Sequence, residues 1–328
     1  METIMETAQI RPVKLLPACK AAIWGGRRLK TEFGKRSELT AVAETWELSC
    51  HPQGESVVAS GPFQGAVLSE YLRRLGPASA GTRAEGKEFP ILVKFIDAAD
   101  RLSVQVHPGD EYARREEGQF GKNEMWYVVD CEPGAQLLLG LRESCSREEL
   151  EKAIRNNTLV ERMQAVPVRK GDVYFIPAGT LHAIGKGILV AEIQQSSDVT
   201  YRVYDYGRLG QDGKPRQLHV KKALDVADTV SRPAGGAPEG PRKKIPGGAL
   251  TRLKTSPWFT VDKLELSRSF EGDCGPETFE AFLCLEGSAE LLGGGDSISL
   301  QKGDTVFLPA CMGAYSLSGE GEFLRVFL

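Results

Sequence analysis

Gly171-Asp172-Val173-Tyr174-Phe175-Ile176-Pro177-Ala178-Gly179-Thr180-Leu181-His182 is the stretch on which the fold turns. Four β-prone residues, Val173 to Ile176, stand between Gly-Asp and Pro-Ala-Gly, which reads as a short strand bounded by turns. An imidazole, His182, follows from a glycine-assisted turn. The first seven residues recur as Gly303-Asp304-Thr305-Val306-Phe307-Leu308-Pro309. Two copies of one barrel-forming unit is the economical interpretation.

Outward from this stretch, the pattern is the same. Short runs such as Glu47–Ser49, Val57–Ala59, Ile91–Phe95, Ser103–Val106, Met125–Val129 and Leu189–Gln194 alternate with Gly, Pro and Asp turns. That spacing predicts an antiparallel sandwich or barrel. Four helices interrupt it: one opened by Ser69, one capped by Asp110 and stopped at Gly118, one with a Ser146/Glu149 capping box, and one over Gln217 to Ala227. Residues 231–248 read SRPAGGAPEGPRKKIPGG, a linker poor in apolar side chains. Strands resume beyond it. The expected architecture is mainly β: residues 1–240 as a barrel with helical insertions and residues 241–328 as a second, degenerate barrel.

Composition excludes several classes. At 328 residues, with 41% hydrophobic and 26% charged side chains, the chain is an ordinary globular one. A net charge of −3 gives no global field to draw nucleic acid or an anionic membrane, so an anionic ligand must be caught by a local basic pocket. Met1 to Arg11 does not read as a signal peptide, and no apolar run approaches the roughly 18 residues of a membrane span. Seven scattered cysteines without a Cys-x-x-Cys suggest reduced thiols and a cytoplasmic location.

The chemistry is carried by Ser103-Val104-Gln105-Val106-His107. Alternate strand residues share a face, so Ser103, Gln105 and His107 point one way and the valines the other. A row of three polar side chains inside a barrel is costly unless something binds them. Glu124, opening the next strand, adds a carboxylate and His182 a second imidazole. Gln105, His107, Glu124 and His182 form a ligand set suited to a divalent transition metal with an open position. The spacing Gly171-x5-Pro177-x-Gly179-x2-His182 matches the second motif of the cupin superfamily, in which that histidine is a metal ligand. The first motif departs from the common His-x-His-plus-Glu, because Gln105 replaces the first His and an insertion separates His107 from Glu124.

With that departure, the residues resemble a known family, the type I mannose-6-phosphate isomerases in their short bacterial form. The resemblance rests on Ile23-Trp24-Gly25-Gly26, Glu44 to Ser49, Ser103 to Pro108, Gly121 to Tyr127, Gly171 to Gly185 and Asp198 to Tyr206. It implies two cupin-type jelly-roll barrels, one zinc per chain on the four ligands above, and interconversion of mannose 6-phosphate and fructose 6-phosphate through a cis-enediol. It places a catalytic arginine on Arg202 and active-site positions on Lys122, Glu192 and Asp198. Lys94 and Ser103 match phosphate- or substrate-binding positions, and Trp24 a pocket wall. The implied partner is a small sugar phosphate, with no nucleic acid or membrane, and the chain is expected as monomer or homodimer.

Other interpretations fit parts of this. Two His and a carboxylate also suit a non-haem iron oxygenase, and a non-catalytic sugar-phosphate sensor could keep the same pocket. On sequence alone Lys122 also fits a solvated turn, and Glu192 a solvent-facing strand position. His51 and His219 have no ligand partners nearby and are expected to be structural. The second barrel, with Cys311 and Met312 where the motif would supply Gly and His, is expected to bind no metal.

Overall fold

The decisive stretch folds as read. In the computed structural model, which describes residues 10–84, 88–210 and 212–328, Val173–Ile176 is a strand pairing antiparallel with Tyr127 back to Glu124. The reading of Met1–Arg11 falls, up to residue 9, outside the described residues. Six strands form one sheet in the order Val173–Ile176, Glu124–Cys131, Ile188–Gln195, Ile91–Ala98, Glu44–Leu48, Ala18–Lys20. Against it stands a five-stranded sheet: Tyr201–Tyr204, Val104–Val106, His182–Ala183, Gln136–Leu141, Met163–Pro167. Ile96, Trp126, Val128, Leu137, Ile184 and Val190 fill one end of the space between them. The other end holds the polar groups described below.

The C-terminal half is one ten-stranded sheet among the described residues, folded around Phe282, Cys284, Leu291, Val306, Leu317 and Phe323. Strand pairing crosses the division expected near residue 240. Val13–Leu16 pairs with Thr305–Leu308 and Val57–Val58 pairs with Val13–Leu16, so two N-terminal strands complete the C-terminal sheet. The seam between the halves is apolar: Phe95, Val261, Phe279, Leu283 and Phe307 are all buried in one cluster. One buried ion pair of the N-terminal half is hydrogen-bonded across it. The Lys35 ammonium lies 2.6 Å from Glu47 and donates to the Gly303 carbonyl, while Thr305 Oγ1 donates to Glu47 at 2.9 Å.

Helix ends depart from the expectations in small ways. The Ser146/Glu149 capping box is present at the start of Arg147–Arg155. Helix Asp110–Glu117 does stop at Gly118, which adopts φ +69, but its N-cap is Gly109. The Asp110 carboxylate instead accepts the Gly121 N–H and the Gln195 amide, tying down the insertion. Ser69 lies inside Leu68–Leu75, whose N-cap is Val67, and the last helix is Val220–Val226. The expected linker also holds structure, since Lys243–Ile245 is an edge strand.

Candidate metal centre and cleft

Strand alternation sorts the side chains as read. Val104 and Val106 are fully buried beneath Leu150, Ile154 and Leu224 of two covering helices. Ser103, Gln105 and His107 therefore face the barrel interior. On the opposite sheet, the register runs Trp46, Lys94, Glu192, Trp126 straight across four strands. A second row places Gln194 beside Glu124. The two polar rows meet at one end of the barrel.

His107, Glu124 and His182 are brought together there, all buried, with candidate ligand atoms within 4.8 Å of one another. The hydrogen bonds fix the tautomers. His107 Nδ1 lies 2.9 Å from the Val199 carbonyl and His182 Nδ1 lies 2.8 Å from the Thr180 carbonyl. A carbonyl only accepts, so each Nδ1 carries the proton and each Nε2 presents a lone pair. Both Nε2 atoms sit 3.4 Å from the Glu124 carboxylate. Lone pairs aimed at a carboxylate repel unless a cation lies among them, and the Lys122 ammonium, 3.2 Å from His107 Nε2, relieves only the His107 side of this. Neither Glu124 oxygen accepts a well-formed hydrogen bond, although the Lys122 ammonium is 2.8 Å away. The residues present thus fit a divalent metal. Gln105 Nε2 is 3.3 Å from His182 Nε2, and turning the amide over exchanges that donor for its carbonyl oxygen. His107, Glu124 and His182 could hold such an ion, with the Gln105 amide beside them.

Burial shapes the charges. It pushes His107 down to about 3, helped by Lys122 and opposed by Glu124, and it lowers His182 likewise. Burial opposes ionisation of Glu124, but the Lys122 ammonium outweighs it and holds the carboxyl well below its usual range. Lys122 is only 4% exposed, so it is no solvated turn residue. Its burial disfavours the charge, yet Glu124 and Glu192 raise its pKa above the ordinary lysine value.

Beside this centre opens a cleft of about 290 Å³, lined by Trp24, Lys94, Ser103, Gln105, Lys122, Glu192, Asp198 and Arg202 among others. Every site residue expected from sequence either lines it or touches a residue that does. Glu192 is buried, not solvent-facing: Trp126 Nε1 donates to Oε2 at 2.9 Å, and Lys94 and Lys122 lie 3.3 and 3.7 Å from Oε1. Arg202 Nε donates to Ser103 Oγ at 3.2 Å. Its burial, with Arg216 nearby, lowers its pKa from the usual guanidinium value. Asp198 stands at the mouth, about one-third exposed.

Glu44, Trp46 and Arg216 are among the lining residues that were missed. Glu44 accepts from Trp46 Nε1 at 2.8 Å and lies 3.5 Å from Lys94. Burial opposes its charge, but Lys94 and the indole hold its pKa low. Glu44 and Trp46 share a strand face, and that alternation was the available signal. Arg216 has no such signal. It enters because Leu209 and Pro215 bridge back on each other and Asp205 holds its guanidinium.

Fold and site together define a cupin-type barrel enzyme with a metal-competent His-Glu-His centre. A model of the type I phosphomannose isomerase catalytic domain matches residues 13–132, and one of the mannose-6-phosphate isomerase cupin domain matches residues 249–328. The mannose-6-phosphate isomerase of Streptococcus mutans is 38% identical over 315 residues, 95% of this chain and 97% of that protein. The Bacillus subtilis mannose 6-phosphate isomerase crystal structure is 35% identical, with a TM-score of 0.89 over 96% of this chain and 99% of the other. A mutant phosphomannose isomerase from Salmonella typhimurium, 18% identical with a TM-score of 0.77 over 96% and 98% of the two chains, shares the fold. The chain belongs to the type I phosphomannose isomerases.

Proposed function

We propose that this chain interconverts mannose 6-phosphate and fructose 6-phosphate through a cis-enediol, with one zinc ion held by Gln105, His107, Glu124 and His182. The observation that carries this is the convergence of two imidazole lone pairs on a buried carboxylate, with only the Lys122 ammonium paired to it, beside a cleft lined by lysine and arginine. When bound, the metal supplies Lewis-acid stabilisation of charge developing on the sugar oxygens.

The remaining chemistry falls to the side chains. Arg202 and Lys94 offer fixed positive charge to the phosphate and to the enediolate oxygens. Lys122, kept as an ammonium by two carboxylates, is a poor base and a good hydrogen-bond donor. That leaves a carboxylate to move the proton between C2 and C1. Glu192 is engaged by an indole N–H and two lysines. Asp198 has Oδ1 engaged, while Oδ2 has no hydrogen-bond partner among the described residues. Asp198 is therefore our choice for the proton carrier, with Glu192 orienting the two lysines. Trp24 walls the sugar and Ser103 holds Arg202 in place.

All seven cysteines are free thiols, and no helix is long and apolar enough to cross a membrane. The free thiols favour the cytoplasm as the working compartment. Turnover in D2O, followed by NMR, tests the chemistry. Proton transfer predicts solvent deuterium at the exchanged carbon; complete retention of the substrate hydrogen over repeated turnovers would contradict it.

A further inference from the structure

Asp198 does not hold its own position. Gln119, just beyond the helix Asp110–Glu117, clasps it at two points. Gln119 Nε2 donates to Asp198 Oδ1 at 2.9 Å, and the Asp198 backbone N–H donates to Gln119 Oε1 at 3.3 Å. A carboxamide can turn over, which would bring its oxygen against the carboxylate. His51 opposes that. The ring is buried, 6% exposed, with its edge on Trp46 at 5.6 Å between centroids. Its Nδ1 accepts the Gln53 N–H at 3.2 Å, so the neutral ring carries its proton on Nε2. That Nε2 faces Gln119 Oε1 at 3.4 Å and Asp198 Oδ1 at 3.7 Å. With two donors on the amide oxygen, the amide NH2 has only Asp198 Oδ1 to face. Asp198 Oδ2 is then the oxygen left for the cleft.

We infer that Gln119 and His51 are positioning residues for the isomerase reaction: His51 fixes the orientation of the Gln119 amide, and Gln119 aims the Asp198 carboxylate at the bound sugar. This rests on the reading of Asp198 as proton carrier. It also gives the helical insertion between His107 and Glu124 a task, since that insertion delivers Gln119 to the mouth of the cleft. His51, which the sequence suggested was merely structural, becomes the outer member of a three-residue chain.

The test compares Gln119→Glu, Gln119→Leu, His51→Phe and Asp198→Asn in the full-length, metal-loaded protein. Gln119→Glu keeps shape but replaces the donating NH2 with an acceptor. It and Gln119→Leu should lower kcat roughly 10–100-fold, with KM and metal content within about twofold of wild type. His51→Phe should cost less, and adding it to Gln119→Leu should cost nothing further, because His51 acts through the amide. In an Asp198→Asn background, Gln119→Leu should have no further effect on kcat. Full activity of Asp198→Asn would overturn the proton-carrier reading itself. Impaired Asp198→Asn with unimpaired Gln119→Glu would overturn the positioning inference alone. So would an effect of Gln119→Leu that appears only as raised KM, lost metal or a lowered melting temperature.

Discussion

His107 and His182 each donate an Nδ1–H to a backbone carbonyl, but it is burial of both rings that governs the centre's behaviour with pH. The folded chain keeps His107 neutral down to about 3, whereas an unfolded chain protonates it near 6.5. Between those values the unfolded state binds more protons, so this group's contribution is full above about pH 6.5 and is lost as pH falls toward 3. Urea unfolding of chelated protein should show lower stability at about pH 5 than at about pH 7, with a smaller difference in His107→Gln. Equal differences in both proteins would contradict the assignment. Glu124→Gln should weaken metal retention by more than the roughly 10–100-fold typical of an outer partner, measured by competition with a chelator. At this scale the sequence was most legible where strand alternation operates. Ser103, Gln105 and His107 could be placed on one face because Val104 and Val106 needed the other. Orientation was not legible: that Lys122 is buried between two carboxylates, or that Gln119 faces Asp198, depends on a loop path that no local pattern encodes.

Gly179 shows how an element carries the site. It adopts φ +90, and a Cβ there would lie 2.9 Å from the Val226 carbonyl oxygen. Its N–H donates to the His107 carbonyl at 2.8 Å and its carbonyl accepts the Asp228 N–H at 2.7 Å. One turn therefore ties together two candidate ligands and the exit of the last helix. Gly179→Ala should cost about 1–3 kcal/mol of stability and loosen metal binding, read by thermal melting and chelator competition. An unchanged melting temperature would show that the turn has another conformation open to it. The strands around it were largely legible. Val173–Ile176, Thr260–Leu266 and Thr305–Leu308 have the bounds their turn residues imply. Where bounds failed, tertiary pairing extended the strand: the runs Ala281–Leu285 and Ala289–Leu292, which the sequence suggests as separate strands, form one, Glu280–Gly293, with an irregularity between Cys284 and Glu286. Asp110 looked like a helix cap because aspartate often is one. Here its carboxylate serves Gly121 and Gln195, contacts distant in sequence.

Across the whole molecule the internal repeat acquires a physical meaning. Ile176 pairs with Glu124 in the first barrel, and the equivalent Leu308 pairs with Glu280 in the second. Glu280 thus stands where the candidate ligand Glu124 stands in the first copy, but Arg325 and Tyr315 hold its carboxylate. The repeat was visible in sequence; the guanidinium in place of a cation was not, because Arg325 is 45 residues from its partner. Nor did any local signal show that Val13–Leu16 joins the C-terminal sheet. That shared sheet, with the Lys35–Glu47 pair in the seam, predicts one cooperative unfolding transition for the full chain. Glu47→Ala would leave the Lys35 ammonium buried without its carboxylate and should cost about 3–5 kcal/mol, measured by denaturant unfolding. A loss below 1 kcal/mol would mean that water reaches the seam. The most direct test of the central claim is coupled turnover of mannose 6-phosphate to fructose 6-phosphate, before chelation, after it, and after zinc is restored. The expected result is activity that chelation abolishes and zinc restores. Absence of turnover with one zinc bound per chain, or turnover indifferent to chelation, would contradict it.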